Sequence, residues 1–162
     1  MIIKSIKEFK GYSFEAFDSG NEELNLYFKK YALINDDNNI GKTFVLSDNE
    51  DIIGFVTICN AQVEFQEMPA TYTKWMPKYP VPAIRIARLA VDAKYQRNGY
   101  GTALLSFAFK KILLVSYNSG IKLVIVDAKD SSKAFYEGFG FKLLKELTYY
   151  LPIETLISAA IN

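Results

Sequence analysis

The chain has 162 residues, of which 50% are apolar and 23% charged, the composition of a globular protein long enough to bury a sizeable core. Its net charge of +1 argues against bulk attraction to nucleic acid and leaves only a local basic patch for such a role. With no histidine and one cysteine, Cys59, the sequence rules out an internal disulfide, argues against a zinc centre and lacks the commonest general base.

Met1 to Lys7 lack the apolar stretch of a signal peptide, and no apolar run approaches the roughly 20 residues that span a bilayer. A cytoplasmic protein without membrane contact is expected. Asn21-Glu22-Glu23 reads as a helix start, a cap followed by two acids, and Leu24, Tyr27, Phe28 and Tyr31 then recur at helical spacing. Residues 36 to 39 (DDNN) read as a turn. Thr43–Leu46 and Ile52–Ile58 read as strands joined by Ser47–Asp51, a hairpin.

Residues 66 to 82 carry Pro69, Pro77, Pro80 and Pro82, which exclude helix and central strand and predict a structured loop. Tyr72, Trp75, Met76 and Tyr79 make that loop unusually apolar. Ala83–Val91 is a strand. Its apolar phase changes between Ile84/Ile86 and Leu89/Val91, the sign either of a β-bulge or of burial on both faces. A helix follows over Gly99–Tyr117, with Leu104, Ala108, Ile112 and Val115 on one side. Next come a strand at Lys122–Val126, a short helix at Ser131–Phe139 closed by Gly138 and Gly140, and strands at Phe141–Leu144 and Thr148–Leu151. This order implies one mixed α/β domain.

The stretch RLAVDAKYQRNGYGTALL, residues 88 to 105, places a glycine loop between a strand and a helix. First-turn amides of a helix carry partial positive charge, and glycine lets a ligand approach the backbone. Strand, loop and helix together suit a phosphate or pyrophosphate, with Arg97 adding a cation. The spacing matches neither a P-loop nor a dinucleotide fingerprint.

Gln96-Arg97-Asn98-Gly99-Tyr100-Gly101, after Leu89-Ala90-Val91-Asp92, resembles the acyl-CoA pyrophosphate loop of the GNAT N-acetyltransferases, [QR]-x-x-G-x-[GA]. A second segment, residues 131 to 141, is similar to the family's A-x-x-F-Y-x-x-x-G-F at Phe135-Tyr136 and Gly140-Phe141. It departs at Ser132 and at Lys129, where the family has the asparagine that touches the pantetheine arm. The resemblance implies a single GNAT domain over residues 1–162: a mixed, mostly antiparallel sheet with a splayed central strand pair and flanking helices. It implies acetyl-CoA as co-substrate and no metal. It places backbone groups of Leu89, Ala90 and Val91 on the pantetheine arm, and Gln96, Arg97, Asn98, Gly99, Tyr100, Gly101 and Thr102 around the pyrophosphate.

Acetyl transfer to an amine needs a neutral amine, a donor for the oxyanion and a proton for the leaving thiolate. The resemblance assigns the last role to Tyr136, whose phenol starts near ~10 against ~8.5 for a thiol. No base is evident: the 83–91 strand carries no Glu, and Glu64 and Glu67 lie elsewhere. An amine with a pKa near ~7 to 8, such as an aminoacyl α-amine, needs little help.

FDSGNEELNLYFKKYA, residues 17 to 32, and the tail YYLPIETL resemble acetyltransferases of toxin–antitoxin modules, which acetylate aminoacyl-tRNA. Three readings follow: an N-acetyltransferase acting on a primary amine of a small molecule or peptide; a toxin acetylating aminoacyl-tRNA, with an antitoxin as partner; and a GNAT fold that binds CoA or a partner without turnover. The aromatic loop Tyr72–Tyr79 lines the acceptor pocket or forms a homodimer contact. Arg88, next to a buried stretch, is expected to have a partner.

Overall fold

The computed structural model describes residues 1–161. Seven strands, β1 (Ile2–Ser5), β2 (Lys42–Asp48), β3 (Asp51–Val63), β4 (Val81–Val91), β5 (Leu123–Asp127), β6 (Lys142–Lys145) and β7 (Thr148–Pro152), form one sheet in the order β1-β2-β3-β4-β5-β7-β6. Five α-helices accompany them: α1 (Glu22–Leu26), α2 (Ala32–Asp37), α3 (Tyr100–Ser116), α4 (Asp130–Glu137) and α5 (Ile153–Ile161). The fold is mixed α/β with a mostly antiparallel open sheet, as expected. β1–β2, β2–β3, β5–β7 and β6–β7 pair antiparallel, and β4–β5 pair in parallel.

The chain divides into two compact units, and β3, β4 and α3 each contribute residues to both. The first comprises Met1–Cys59 and Ala87–Lys110. Its core is aromatic: Phe28 lies flat on Phe55 at 4.4 Å, and Phe17 meets both edge-on. Ile6, Phe9, Ala32, Val45 and Ala90 complete it. Asn21 caps α1 by accepting from the Leu24 amide, as its position before two acids predicts. The helical run then widens into a π-helical stretch, Tyr27–Tyr31, before α2, an irregularity that apolar spacing alone does not announce. The turn expected at 36–39 starts later: Asp36 and Asp37 end α2, and Asn39 takes the left-handed conformation (φ 59°).

The second unit comprises Asn60–Ile86 and the chain from Lys111 onward. Val63, Met68, Val81, Ala83, Leu123, Ile125 and Tyr150 form its core. β4 runs alongside β5 from Ala83–Ile86 to Leu123–Val126, then continues through Ala87–Val91 beyond the last paired rung. Adjacent residues are buried at both ends of β4, Ala83 with Ile84 and Ala90 with Val91. Both faces are thus buried at the two ends of the strand, while Ala87–Leu89 between them are half-buried or exposed.

Two further expectations, for Pro82 and Val115, need correction. Pro82 lies within β4 rather than in the loop; it sits near the strand's start, exposed, and its carbonyl accepts from the Lys122 amide at 2.9 Å. The remainder of the 66–82 stretch is the structured loop expected, with 3-10 turns at Phe65–Glu67 and Ala70–Tyr72. β1, a short edge strand exposed at alternate residues, and α5 were not anticipated. On α3 the buried side is Leu104, Leu105, Ala108 and Ile112, while Val115 is exposed.

Candidate functional site

Within the first unit, the segment from Asp92 to Tyr100 is built almost entirely from its own polar side chains. Asp92, 3% exposed, accepts from the Asp18 amide (3.0 Å) and the Lys94 amide (2.9 Å), and its own N–H donates to the Ile53 carbonyl (2.8 Å). It thus caps the 3-10 turn Ala93–Tyr95 and ties it to β3 and to the 17–20 segment. The Gln96 amide donates to the carbonyls of Val91 (2.8 Å) and Ser19 (2.9 Å). The Asn98 amide donates back to the carbonyls of Tyr95 and Gln96. Gln96 and Asn98 therefore shape the loop with their side chains, which are expended on the backbone.

The FDSGN stretch is the other half of this brace. Asp18 accepts from the Gly20 amide (2.8 Å) and the Asn25 side chain (2.9 Å), bonds that hold its carboxyl below the usual carboxylate range. Ser19 donates to Asn25 through both its amide and its hydroxyl at 2.8 Å. Its carbonyl then receives Gln96, and the Asp18 carbonyl receives the Ala93 amide. A motif 74 to 77 residues upstream of its partners thus sets the geometry of the glycine loop.

Two residues of that loop have left-handed backbones, Arg97 (φ 63°) and Gly99 (φ 84°). Left-handed residues interspersed in a loop turn successive N–H groups toward one side, the geometry of an anion-binding nest. Gly99 is required by its φ, since a Cβ there would meet nothing within 4 Å. α3 begins at Tyr100, so its positive end adjoins the nest. Arg97, Asn98, Gly99 and Thr102 are exposed and Tyr100 and Gly101 half-buried, as a solvent-facing cradle requires. The residues present fit a diphosphate in backbone conformation, charge and exposure.

Upstream on β4, Ala90 and Val91 are buried and Leu89 half-buried, and the Val91 carbonyl is occupied by Gln96. A Cβ at Gly54 would stand 2.6 Å from the Ala90 carbonyl oxygen and 2.9 Å from Leu104 Cδ1. Only glycine at 54 lets β3 lie this close to β4 and the first turns of α3. Sequence reasoning missed Gly54 and the bracing role of Asp92. The former carries no local signal inside an apolar strand; the latter could be found as a cap residue following LAV.

Arg88 has the partner expected of it, a structural one within its own unit. It is exposed, donates to the Ala87 carbonyl and lies 4.8 Å above the Tyr27 ring. Arg85 instead makes the ion pair, with Asp127 at 3.0 Å.

In the second unit, Tyr136 lies in the last turn of α4 and is 5% exposed. Phe135 and Phe141 meet its ring edge-on at 5.1 and 5.6 Å. The loop after α4 closes on it: the Tyr136 carbonyl accepts from Phe139 and Phe141, with Gly140 left-handed between them (φ 97°). Burial pushes the Tyr136 phenol up to about 12. Glu67 is paired with Lys145 at 2.7 Å and Glu64 is exposed, so neither stands out as a base. Among the described residues no group of three or more acids, histidines or cysteines is placed to hold a metal ion, and no helix is long and apolar enough to cross a membrane.

Residues 39–143 match the family model of the acetyltransferase (GNAT) domain. Over 129 residues the chain is 33% identical to a tRNA-acetylating toxin of Mycobacterium tuberculosis (strain ATCC 25618 / H37Rv), covering 79% of this chain and 77% of that one. Its fold is similar to the crystal structure of a tyrosine-to-phenylalanine mutant of KacT, with a TM-score of 0.91 and 25% identity over 98% of each chain. The crystal structure of AtaTR bound with AcCoA is similar at a TM-score of 0.86 and 25% identity, covering 98% of this chain and 97% of that one. The two motifs, the sheet and these matches agree: the chain belongs to the GNAT acetyltransferases and is an acyltransferase.

Proposed function

We propose that the chain transfers the acetyl group of acetyl-CoA to the α-amine of an aminoacyl-tRNA, acting in the cytoplasm as a toxin that stops translation. The observation that carries this reading is the 33% identity to a tRNA-acetylating toxin over most of both chains. We take residues 1–162 to act as one GNAT domain, and a chain with this activity requires an antitoxin in the cell that makes it.

The amides of Arg97 to Thr102, with the positive end of α3, would hold the pyrophosphate of acetyl-CoA. Leu89 to Val91 would lie along the pantetheine arm and offer a backbone donor to the thioester oxygen. Acetyl-CoA supplies the activated acyl group. The chain then has three tasks: to hold that thioester, to receive an amine already neutral, and to leave a proton on the departing sulfur.

The absence of an evident base fits the acceptor. An aminoacyl α-amine has a pKa near ~7 to 8, so a useful fraction is neutral at neutral pH without help. A lysine amine near ~10.4 would need one. As the amine nitrogen bonds to the carbonyl carbon it becomes cationic, and the C–S pair later departs with the sulfur. The Tyr136 hydroxyl hydrogen-bonds that sulfur, and a proton passes to the sulfur through it only as the amine nitrogen gives one up. A phenol near 12 is too weak to surrender its proton outright to a thiolate near ~8.5. It serves by donating a hydrogen bond as charge develops and by relaying the proton the amine must lose.

Cell-free translation with the purified protein tests this, with and without acetyl-CoA and with Tyr136→Phe in parallel. Translation is expected to stop only with acetyl-CoA, and the Phe variant to acetylate aminoacyl-tRNA roughly 100-fold more slowly. Undiminished translation with acetyl-CoA present would remove the toxin reading and turn the search to small amines and peptides.

A further inference from the structure

Trp75 is the only tryptophan of the chain and its most exposed large apolar residue, at 89%. Its surroundings are ordered. The segment before it is built from successive tight turns: the Tyr72 amide donates to the Pro69 carbonyl, Thr73 to Ala70 through amide and hydroxyl, and Met76 to Thr73. Met68, Tyr72 and Met76 pack down on the core of the second unit, and Tyr72 meets Tyr150 edge-on at 6.0 Å. Pro69, Pro77 and Pro80 restrict the backbone on both sides. The loop is therefore anchored on one side and holds the indole out on the other.

The loop's own charged residues have one sign. Lys74 places its ammonium 5.6 Å from the indole centre, and Lys78 is exposed beside Tyr79. No acid occurs in sequence between Glu67 and Asp92, and Glu67 is neutralised by Lys145 at 2.7 Å. An exposed aromatic plane flanked by lysines matches one ligand chemistry well: an unpaired base stacking on the ring, with its phosphates beside the ammonium groups. A second copy of the chain would set these lysines against each other, and a base within a duplex has no face to offer.

We propose that the loop Ala70–Pro80 is a single-strand RNA contact in which Trp75 stacks on an unpaired base of the acceptor RNA. This rests on the aminoacyl-tRNA reading and names the residue that grips the unpaired part of that substrate. Trp75 is a binding residue and takes no part in acyl transfer.

Because Trp75 is the sole indole, its emission reports directly on its own environment. The full-length protein is titrated with a single-stranded RNA octanucleotide and with a blunt RNA duplex of the same length. Saturable quenching by the single strand and little by the duplex is expected. Trp75→Ala is expected to bind the labelled octanucleotide roughly tenfold more weakly and to raise KM for aminoacyl-tRNA by a similar factor with kcat unchanged, while Trp75→Tyr retains most of the affinity.

Aminoacyl-tRNA acetylation with unchanged emission, and an Ala variant of wild-type KM, would overturn the stacking proposal and leave the proposed function standing. Quenching by the single strand without acetylation of any aminoacyl-tRNA would support the loop's role and remove the acceptor reading. Emission that changes with protein concentration alone, RNA being absent, would identify a contact between copies and overturn the proposal.

Discussion

Tyr136 is a packing residue whose burial also sets the acidity of the phenol on which the proposed mechanism relies. Its ring is a core residue, fitted between Phe135 and Phe141, and the same burial that makes it one raises its phenol to about 12. The folded-state value lies above the ordinary value near 10, so the folded protein holds this proton more tightly than the unfolded chain. The resulting stabilisation is fully present below pH 10 and is lost as pH rises from about 10 to 12, amounting to about 3 kcal/mol. Chemical denaturation of the wild type and Tyr136→Phe at rising pH checks this: the wild type should lose more stability than the variant across that window. Equal slopes would mean that the phenol is not desolvated. The same value fixes a kinetic expectation, since Tyr136 stays protonated at any pH where the enzyme acts. The candidacy of this residue is legible in the sequence because Phe135-Tyr136 forms a local pattern. Its perturbation was not, because that depends on Phe141, which reaches the ring only after Gly140 reverses the chain.

At the scale of elements, a glycine loop takes its shape from residues distant in sequence. The strand–loop–helix order over 88–105 is readable because strand residues, glycines and helical spacing adjoin one another. Its bracing is not, because Gln96 reaches Ser19 and Asp92 reaches Asp18, pairs made only when the chain folds. β1 escaped notice because four residues, two of them exposed, carry too little pattern. α5 follows β7 directly through Pro152, so its start is masked by an apolar strand, although Glu154 marks its first turn. Gly54 is the element-scale counterpart of these silent contacts. Gly54→Ala would press a methyl on the Ala90 carbonyl oxygen at 2.6 Å and on Leu104 at 2.9 Å. Backbone does not yield as a flexible side chain does, so the β3–β4 approach must open, at a cost of about 1–3 kcal/mol. Thermal unfolding should show Tm lowered by roughly 5 °C, and KM for acetyl-CoA should rise, because the displaced strand carries Ala90 and Val91. An unchanged Tm would show that the approach relaxes freely.

For the whole molecule, the proposed function raises the question of how a chain with 19 basic and 18 acidic residues would recognise a polyanion. Its net charge provides almost no long-range field, and several cations are already matched: Arg85 by Asp127, Lys122 by Glu154, Lys145 by Glu67, and Lys7 and Lys42 by Asp36. Each unit has a local cation beside an aromatic ring, Lys74 by Trp75 in one and Arg88 by Tyr27 in the other, and the proposed reading draws on such contacts. Salt dependence counts such contacts. Two or three neutralised phosphates correspond to a slope of log KM against log salt concentration of about 1.5 to 2.5. Raising the salt from about 50 to 200 mM should then raise KM for aminoacyl-tRNA roughly ten- to thirtyfold. A thousandfold rise would require a phosphate-binding surface of six or more contacts. A flat profile would mean that the acceptor is held without its phosphates, and a small amine would then explain the substrate better than RNA. The slope therefore separates the acceptor classes on a property of the entire charge distribution, independently of any single substitution.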